Sequence, residues 1–194
     1  SAIPWHSQPS LALHIASADA ITCDALDARG ITHILVVSPD ATMPAPAGET
    51  QFVCSRIPVS DDLSAPLHEH LDDAANFISS AFGSGGRVCI TCADGRSAAP
   101  TVAAFYLMRQ HCASLAEALA AIREAQPTAR PNAGFWQRLI EAESWMRQGP
   151  PSMTAQQYRW AYLEESRPRQ TRSQVLQELE LGQAEIQAMV HRHS

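Results

Sequence analysis

The sequence predicts an α/β domain with a central, mainly parallel sheet flanked by helices, followed by a helical C-terminal extension. Three observations carry that expectation. Short apolar runs rich in β-branched residues alternate with segments of helical period. One such run, Arg87 to Thr91, leads through a short glycine-containing loop into a helix, the place where parallel sheets usually gather ligands. Gly149-Pro150-Pro151 cannot continue a helix and divides the chain into residues 1–149 and 150–194.

Leu11 to Ile15 is a strand candidate. Ser17-Ala18-Asp19 opens a helix to about Arg29, which Gly30 ends. Ile31 to Val37 reads as a buried strand, residues 38–50 as a Pro/Ala/Gly-rich loop, and Phe52 to Val59 as another strand. Leu67 to Phe82 carries apolar positions 67, 71, 74, 75, 78, 81 and 82 at helical spacing. After the strand Arg87 to Thr91, helices are expected at Thr101 to Cys112, Ser114 to Ala125 and Asn132 to Arg147, with Trp136 and Trp145 in the core. In the extension, Thr154 to Ser166 and Thr171 to His193 read as helices. Val175, Leu176, Leu179, Ile186, Met189 and Val190 fall near one face, fit for packing on the domain or for a partner's groove.

Composition narrows the function classes. The 194 residues hold 14 basic and 20 acidic side chains, a balance of −6. Every basic residue is Arg, and no basic run occurs. Charge-driven nucleic-acid or anionic-membrane binding is therefore not expected. No apolar run reaches the ~18–20 residues of a membrane span, and no secretory signal is visible. Five cysteines, an odd number, suit a reducing compartment better than a disulfide framework. An intracellular, cytoplasmic protein is the expectation.

The segment Val88-Cys89-Ile90-Thr91-Cys92-Ala93-Asp94-Gly95-Arg96-Ser97-Ala98-Ala99-Pro100-Thr101 carries the chemistry. A strand ends in a Cys, a loop with Gly follows, and a helix begins. Such a loop aims backbone N–H groups at one point beside a positive helix end. Cysteine there is expected to have a lowered pKa.

This segment resembles the signature loop of the dual-specificity branch of the cysteine-dependent protein phosphatases. The resemblance spans about residues 9–145 and includes Leu13 to Ser17, Gly30-Ile31-Thr32-His33-Ile34-Leu35 and Ile57-Pro58-Val59-Ser60-Asp61. It continues through Ala104-Phe105-Tyr106-Leu107-Met108 and Arg130-Pro131-Asn132-Ala133-Gly134-Phe135. The family's loop reads His-Cys, five residues, Arg, then Ser or Thr. Its Cys forms a phosphocysteine, its Arg holds two phosphoryl oxygens, and an upstream Asp protonates the leaving oxygen. The resemblance places Cys92 on the nucleophile, Gly95 on the loop glycine, Ser97 on the serine before Arg and Asp61 on the general acid, with Asp62 one residue away in register.

Three positions depart from the family pattern: Thr91 replaces His, Ala98 replaces Arg, and Ala99 replaces the hydroxyl residue. Without Arg the phosphoryl group loses a bidentate, charge-assisted partner. By analogy with oxyanion donors, that removes at least ~10²–10³ in rate. Arg96 sits inside the loop and is expected to point outward to the rim. Asp94 puts a negative charge in the cradle. The expectation is a pseudophosphatase that serves as a protein-binding scaffold or a structural subunit of a larger assembly. Ala93, Asp94, Gly95, Arg96 and Ser97 are the remnant of its anion loop. The alternative is an atypical active protein phosphatase in which Cys92 works with Arg96.

Other candidates are weaker. Cys89-Ile90-Thr91-Cys92 has redox spacing, but Cys89 lies inside the strand. The Cys92 to Ser97 loop is also similar to a sulfurtransferase loop, although Pro131-Asn132 to Phe135 favours the phosphatases. His68-Glu69-His70 and His191-Arg192-His193 offer two ligands each without a third, so no metal and no cofactor is expected.

Overall fold

The structure is a computed structural model that describes residues 2–4, 13–40 and 52–158. Four parallel strands form its sheet: β1 (Leu13–Ser17), β2 (His33–Val37), β3 (Val53–Ile57) and β4 (Val88–Cys92). Their order is β1-β4-β2-β3. The helices are α1 (Cys23–Asp27), α2 (Leu71–Gly83), α3 (Ala98–His111), α4 (Leu115–Ala125) and α5 (Ala133–Arg147), with 3-10 turns at Ala18–Ala20 and Leu67–His70. The chain divides into two compact units, Ser1–Ala155 and Gln156–Ser194. The extension residues from 159 onward, with the apolar face expected there, lie outside the described residues, as do residues 41–50 of the expected loop.

β4 lies between β1 and β2, which explains its unbroken burial. Register places Ile15 beside Ile90, and Leu35 beside Ile90 on the other side. Side chains alternate faces along a strand, so His14, Ile34 and Cys89 share the opposite face. There Leu26, Ile31, Ile34, Val36 and Cys89 form an apolar cluster. The other face meets α2 and α3. Residues Ala98 to Met108 of α3 are all buried, as suits a helix enclosed by its neighbours.

Several boundaries differ from expectation. The helix expected from Ser17 to Arg29 is broken, because Ile21 and Thr22 are extended. Both are β-branched residues that favour that backbone. Thr22 then caps α1 by accepting the Ala25 N–H at 3.2 Å. α3 starts at Ala98, three residues before the expected Thr101. Pro100 sits in its first turn, where a helix needs no N–H donor. Trp136 is buried as expected, but Trp145 is 81% exposed and lies outside the core.

Two polar devices secure the start of α4. Ser114 and Glu117 form a capping box on α4. The buried Glu143 carboxylate accepts the Leu115 N–H and the Ser152 N–H, each at 2.8 Å, and so holds residues 150–152 to α4 and α5.

Candidate active site

Cys92 is the last residue of β4 and pairs in register with Ser17 at the end of β1. The chain then turns through Ala93 to Ser97 and enters α3. The Ala18 N–H donates to the Ala93 carbonyl at 3.2 Å and ties the loop to β1. Gly95 has φ +70°, and a Cβ there would lie 3.1 Å from the backbone of Ala16 and Ser17. Glycine meets both demands, the left-handed backbone and the close approach.

Cys92 is 3% exposed. Burial is the largest influence on it and pushes its pKa above the ordinary thiol value. Backbone N–H groups of Ala99, Gly95 and Ser97 pull the other way, and the Asp94 charge reinforces the rise. The loop therefore converges N–H groups on Cys92, yet desolvation outweighs them. The lowered pKa expected from the loop pattern is corrected to a raised one.

Asp61 reaches this loop from the segment after β3. Its Oδ1 accepts the Ser97 hydroxyl at 2.7 Å and the Asn132 side-chain N–H at 2.6 Å. The Ser97 oxygen in turn accepts the Asn132 backbone N–H at 3.0 Å. Asp62 turns instead to its own segment, accepting from Ser60 and from the Ser64 N–H and hydroxyl. The Ser60 hydroxyl is the main reason that the Asp62 pKa lies below the ordinary carboxylate value.

Thr91 is fully buried, and its hydroxyl has no hydrogen-bond partner among the described residues. It follows the strand alternation to the face opposite Cys92. Ala98 and Ala99 occupy the first turn of α3, 2% and 0% exposed, and offer the cradle only methyl groups. Arg96 lies on the rim. Its side chain faces Asp94 at 4.0 Å, with both side chains about half exposed. The Arg96 N–H donates to Asp94 at 2.9 Å, and its carbonyl accepts the Arg130 N–H at 2.5 Å.

Asn132 is the residue whose part in the site the sequence did not reveal. It caps α5 by accepting the Phe135 N–H at 2.9 Å and also donates to Asp61. Its cap position before an apolar helix is a readable signal; its second partner, 71 residues away, is not. Gly134 matters for the same junction, since a Cβ there would lie 1.9 Å from the Leu63 carbonyl. Cys89 and Cys92 project from opposite faces of β4, so the strand cannot bring their sulfurs into a disulfide. Burial lifts the Cys89 thiol to about 11. Among the described residues no three His, Cys, Asp or Glu side chains group as metal ligands, and no helix is long and apolar enough to cross a membrane.

Comparison with known proteins agrees with this geometry. Residues 13–145 match the family model for the dual specificity phosphatase catalytic domain. Human dual specificity phosphatase 28 is 33% identical over 148 residues, covering 73% of this chain and 82% of that protein. Dual specificity protein phosphatase 1 of Arabidopsis thaliana is 35% identical over 122 residues, covering 63% of this chain and 60% of that protein. The crystal structure of human DUSP28 superposes with a TM-score of 0.67 at 31% identity, covering 72% of this chain and 96% of that one. Fold, loop geometry and sequence together show that the chain belongs to the dual specificity phosphatase family.

Proposed function

We propose that this chain is a pseudophosphatase: a phosphatase domain without competent phosphoryl transfer, acting as a protein-binding scaffold or a structural subunit of an assembly. The observation that carries the reading is Ala98, buried in the first turn of α3 where the family pattern has Arg. A methyl group cannot hold two phosphoryl oxygens. Arg96 does not take its place, since its guanidinium faces Asp94 on the rim. The raised Cys92 pKa supports the same reading, because the thiolate is the nucleophile.

The test is hydrolysis of an aryl phosphate by the wild type, Cys92→Ser, Arg96→Ala and Thr91→His/Ala98→Arg. The wild type is expected to match Cys92→Ser, with turnover rising at least ~10²-fold in the double variant. Cys92-dependent wild-type turnover that disappears in Arg96→Ala establishes an active phosphatase using Arg96 and overturns the reading. For the scaffold role, protein partners are expected to bind the wild type and Cys92→Ser equally, and to be lost when residues 156–194 are removed.

A further inference from the structure

At the C-terminal end of α3, a recess of about 790 Å³ opens between α3, α5 and the start of α2. Buried Phe105 and Met108 form one wall, and half-buried Ala142 and Met146 of α5 form another. Trp145 stands in the same lining and is 81% exposed. Arg109 and Arg147 bring two guanidinium groups. Arg109 is held by Asp72, donating to its carbonyl and pairing with its carboxylate, each at 3.0 Å. Such bonds lie in the guanidinium plane and leave its flat faces for stacking. Glu143, also in the lining, is committed to the Leu115 and Ser152 N–H groups. Aromatic residues, Met and Arg are the side chains enriched where protein surfaces meet. The recess also suits the ring beside it, since methionine sulfurs and guanidinium faces each attract an indole. Knob and hole thus lie side by side on one face. A twofold contact demands that arrangement, because each copy must offer both halves.

We propose that this face pairs with a second copy of the chain, the Trp145 indole of each copy entering the recess of the other. A recess of that volume admits a drug-sized body, and an indole is smaller. Each indole buries about 150–250 Å². With the matching recess walls, the two remove on the order of 600–1,000 Å² from water, under the ~1,200 Å² of stable specific interfaces. The dimer is therefore weak and depends on concentration. Cys92 precedes the start of α3 and the recess lies at its other end, so pairing leaves the loop open. The pairing stands whether or not the loop is catalytic.

The test is sedimentation of the full chain under a reductant from about 1 µM to 1 mM, the range for a small interface. A monomer–dimer equilibrium is expected, weakened at least about tenfold in Trp145→Ala. Trp145 is exposed, so that variant keeps the fold. Ala142→Glu sets a carboxylate in the recess against the negative face of an indole and is expected to abolish pairing with itself. Mixed with Trp145→Ala it still offers a knob to an intact hole, so the mixture is expected to regain part of the association. Should Ala142→Glu fail to fold, tryptophan emission reads the same contact. The difference between wild type and Trp145→Phe isolates Trp145, and its emission is expected to move to shorter wavelength on concentrating. A monomer at every concentration, equal pairing in Trp145→Ala, or Trp145 emission that stays unmoved in the dimer overturns the proposal. Emission already at short wavelength in dilute monomer means that a segment of the same chain fills the recess, and overturns it too.

Discussion

Asn132 donates a side-chain N–H to Asp61 at 2.6 Å while its own carbonyl oxygen caps α5 through Phe135. One side chain thus fixes a helix start and the acid-bearing segment at once. Asn132→Ala is expected to lower stability by about 1–2 kcal/mol, the range for losing an N-cap. Asn132→Asp keeps the capping oxygen but sets a second carboxylate against Asp61, so it should restore only part. Urea denaturation of the three proteins checks the order.

Gly134→Ala places a methyl group where the Leu63 carbonyl now sits, with the Cβ 1.9 Å from that oxygen. Either α5 or the segment 61–64 must move. The expected loss is about 1–3 kcal/mol, as for overpacking. A change in Tm close to zero would show that the segment yields freely.

Burial raises the Cys92 pKa, so the folded state holds its proton more tightly than the unfolded chain does. Its contribution to stability is fully present below the unfolded thiol pKa and is lost as pH rises from that value through the higher folded pKa. Alkylation of native Cys92 by iodoacetamide should accordingly reach half its maximal rate above pH ~8.5. Rapid alkylation near pH 6, specific to Cys92, would contradict the buried thiol.

His14 is shifted the opposite way, from 6.5 to about 4, chiefly by burial and then by neighbouring positive charge including Arg87 and Arg29. Between those pH values the unfolded chain binds a proton that the folded chain refuses. Stability is therefore expected to fall as pH drops from about 6.5 to 4, by about 3 kcal/mol at the ~1.4 kcal/mol that each pH unit represents. The His14→Gln variant should show a flatter profile over that range. Should it fail to fold, NMR titration of the His14 ring in the wild type reads the same pKa directly.

Glu143 is 1% exposed and accepts two backbone N–H groups. Glu143→Ala leaves the buried Leu115 N–H unpaired and returns the N–H of the exposed Ser152 to water, and is expected to cost about 1–3 kcal/mol. Glu143→Gln keeps one acceptor oxygen and should cost less. Thermal melts of the two variants distinguish the loss of hydrogen bonds from a mere loss of charge.

Most of the fold was legible because burial leaves a period in the sequence. The parallel sheet followed from Ile31 to Val37 and Arg87 to Thr91, and α2, α4 and α5 followed from apolar spacing and caps. The misreadings have local causes. Ile21 and Thr22 interrupt a helix that side-chain polarity alone does not divide, and Pro100 lies inside the first turn of a helix that begins at Ala98, ahead of the expected Thr101. Trp145 carries an apolar ring on an apolar-patterned helix, yet helical phase alone does not say how far the covered stripe extends.

What the sequence by itself determined is the inventory at the loop: Cys92 and Gly95 present, Ala at 98 and 99, Thr at 91. No folding can supply a guanidinium to a position that holds a methyl group. The tertiary structure decided how the remaining groups meet. It turned Arg96 to Asp94 on the rim, selected Asp61 over Asp62 for contact with Ser97, and enlisted Asn132 from 71 residues away. It also set the Cys92 thiol above its ordinary pKa. The physical reason is common to these outcomes: side-chain direction and desolvation depend on what packs around a residue, and most of those neighbours are distant along the chain.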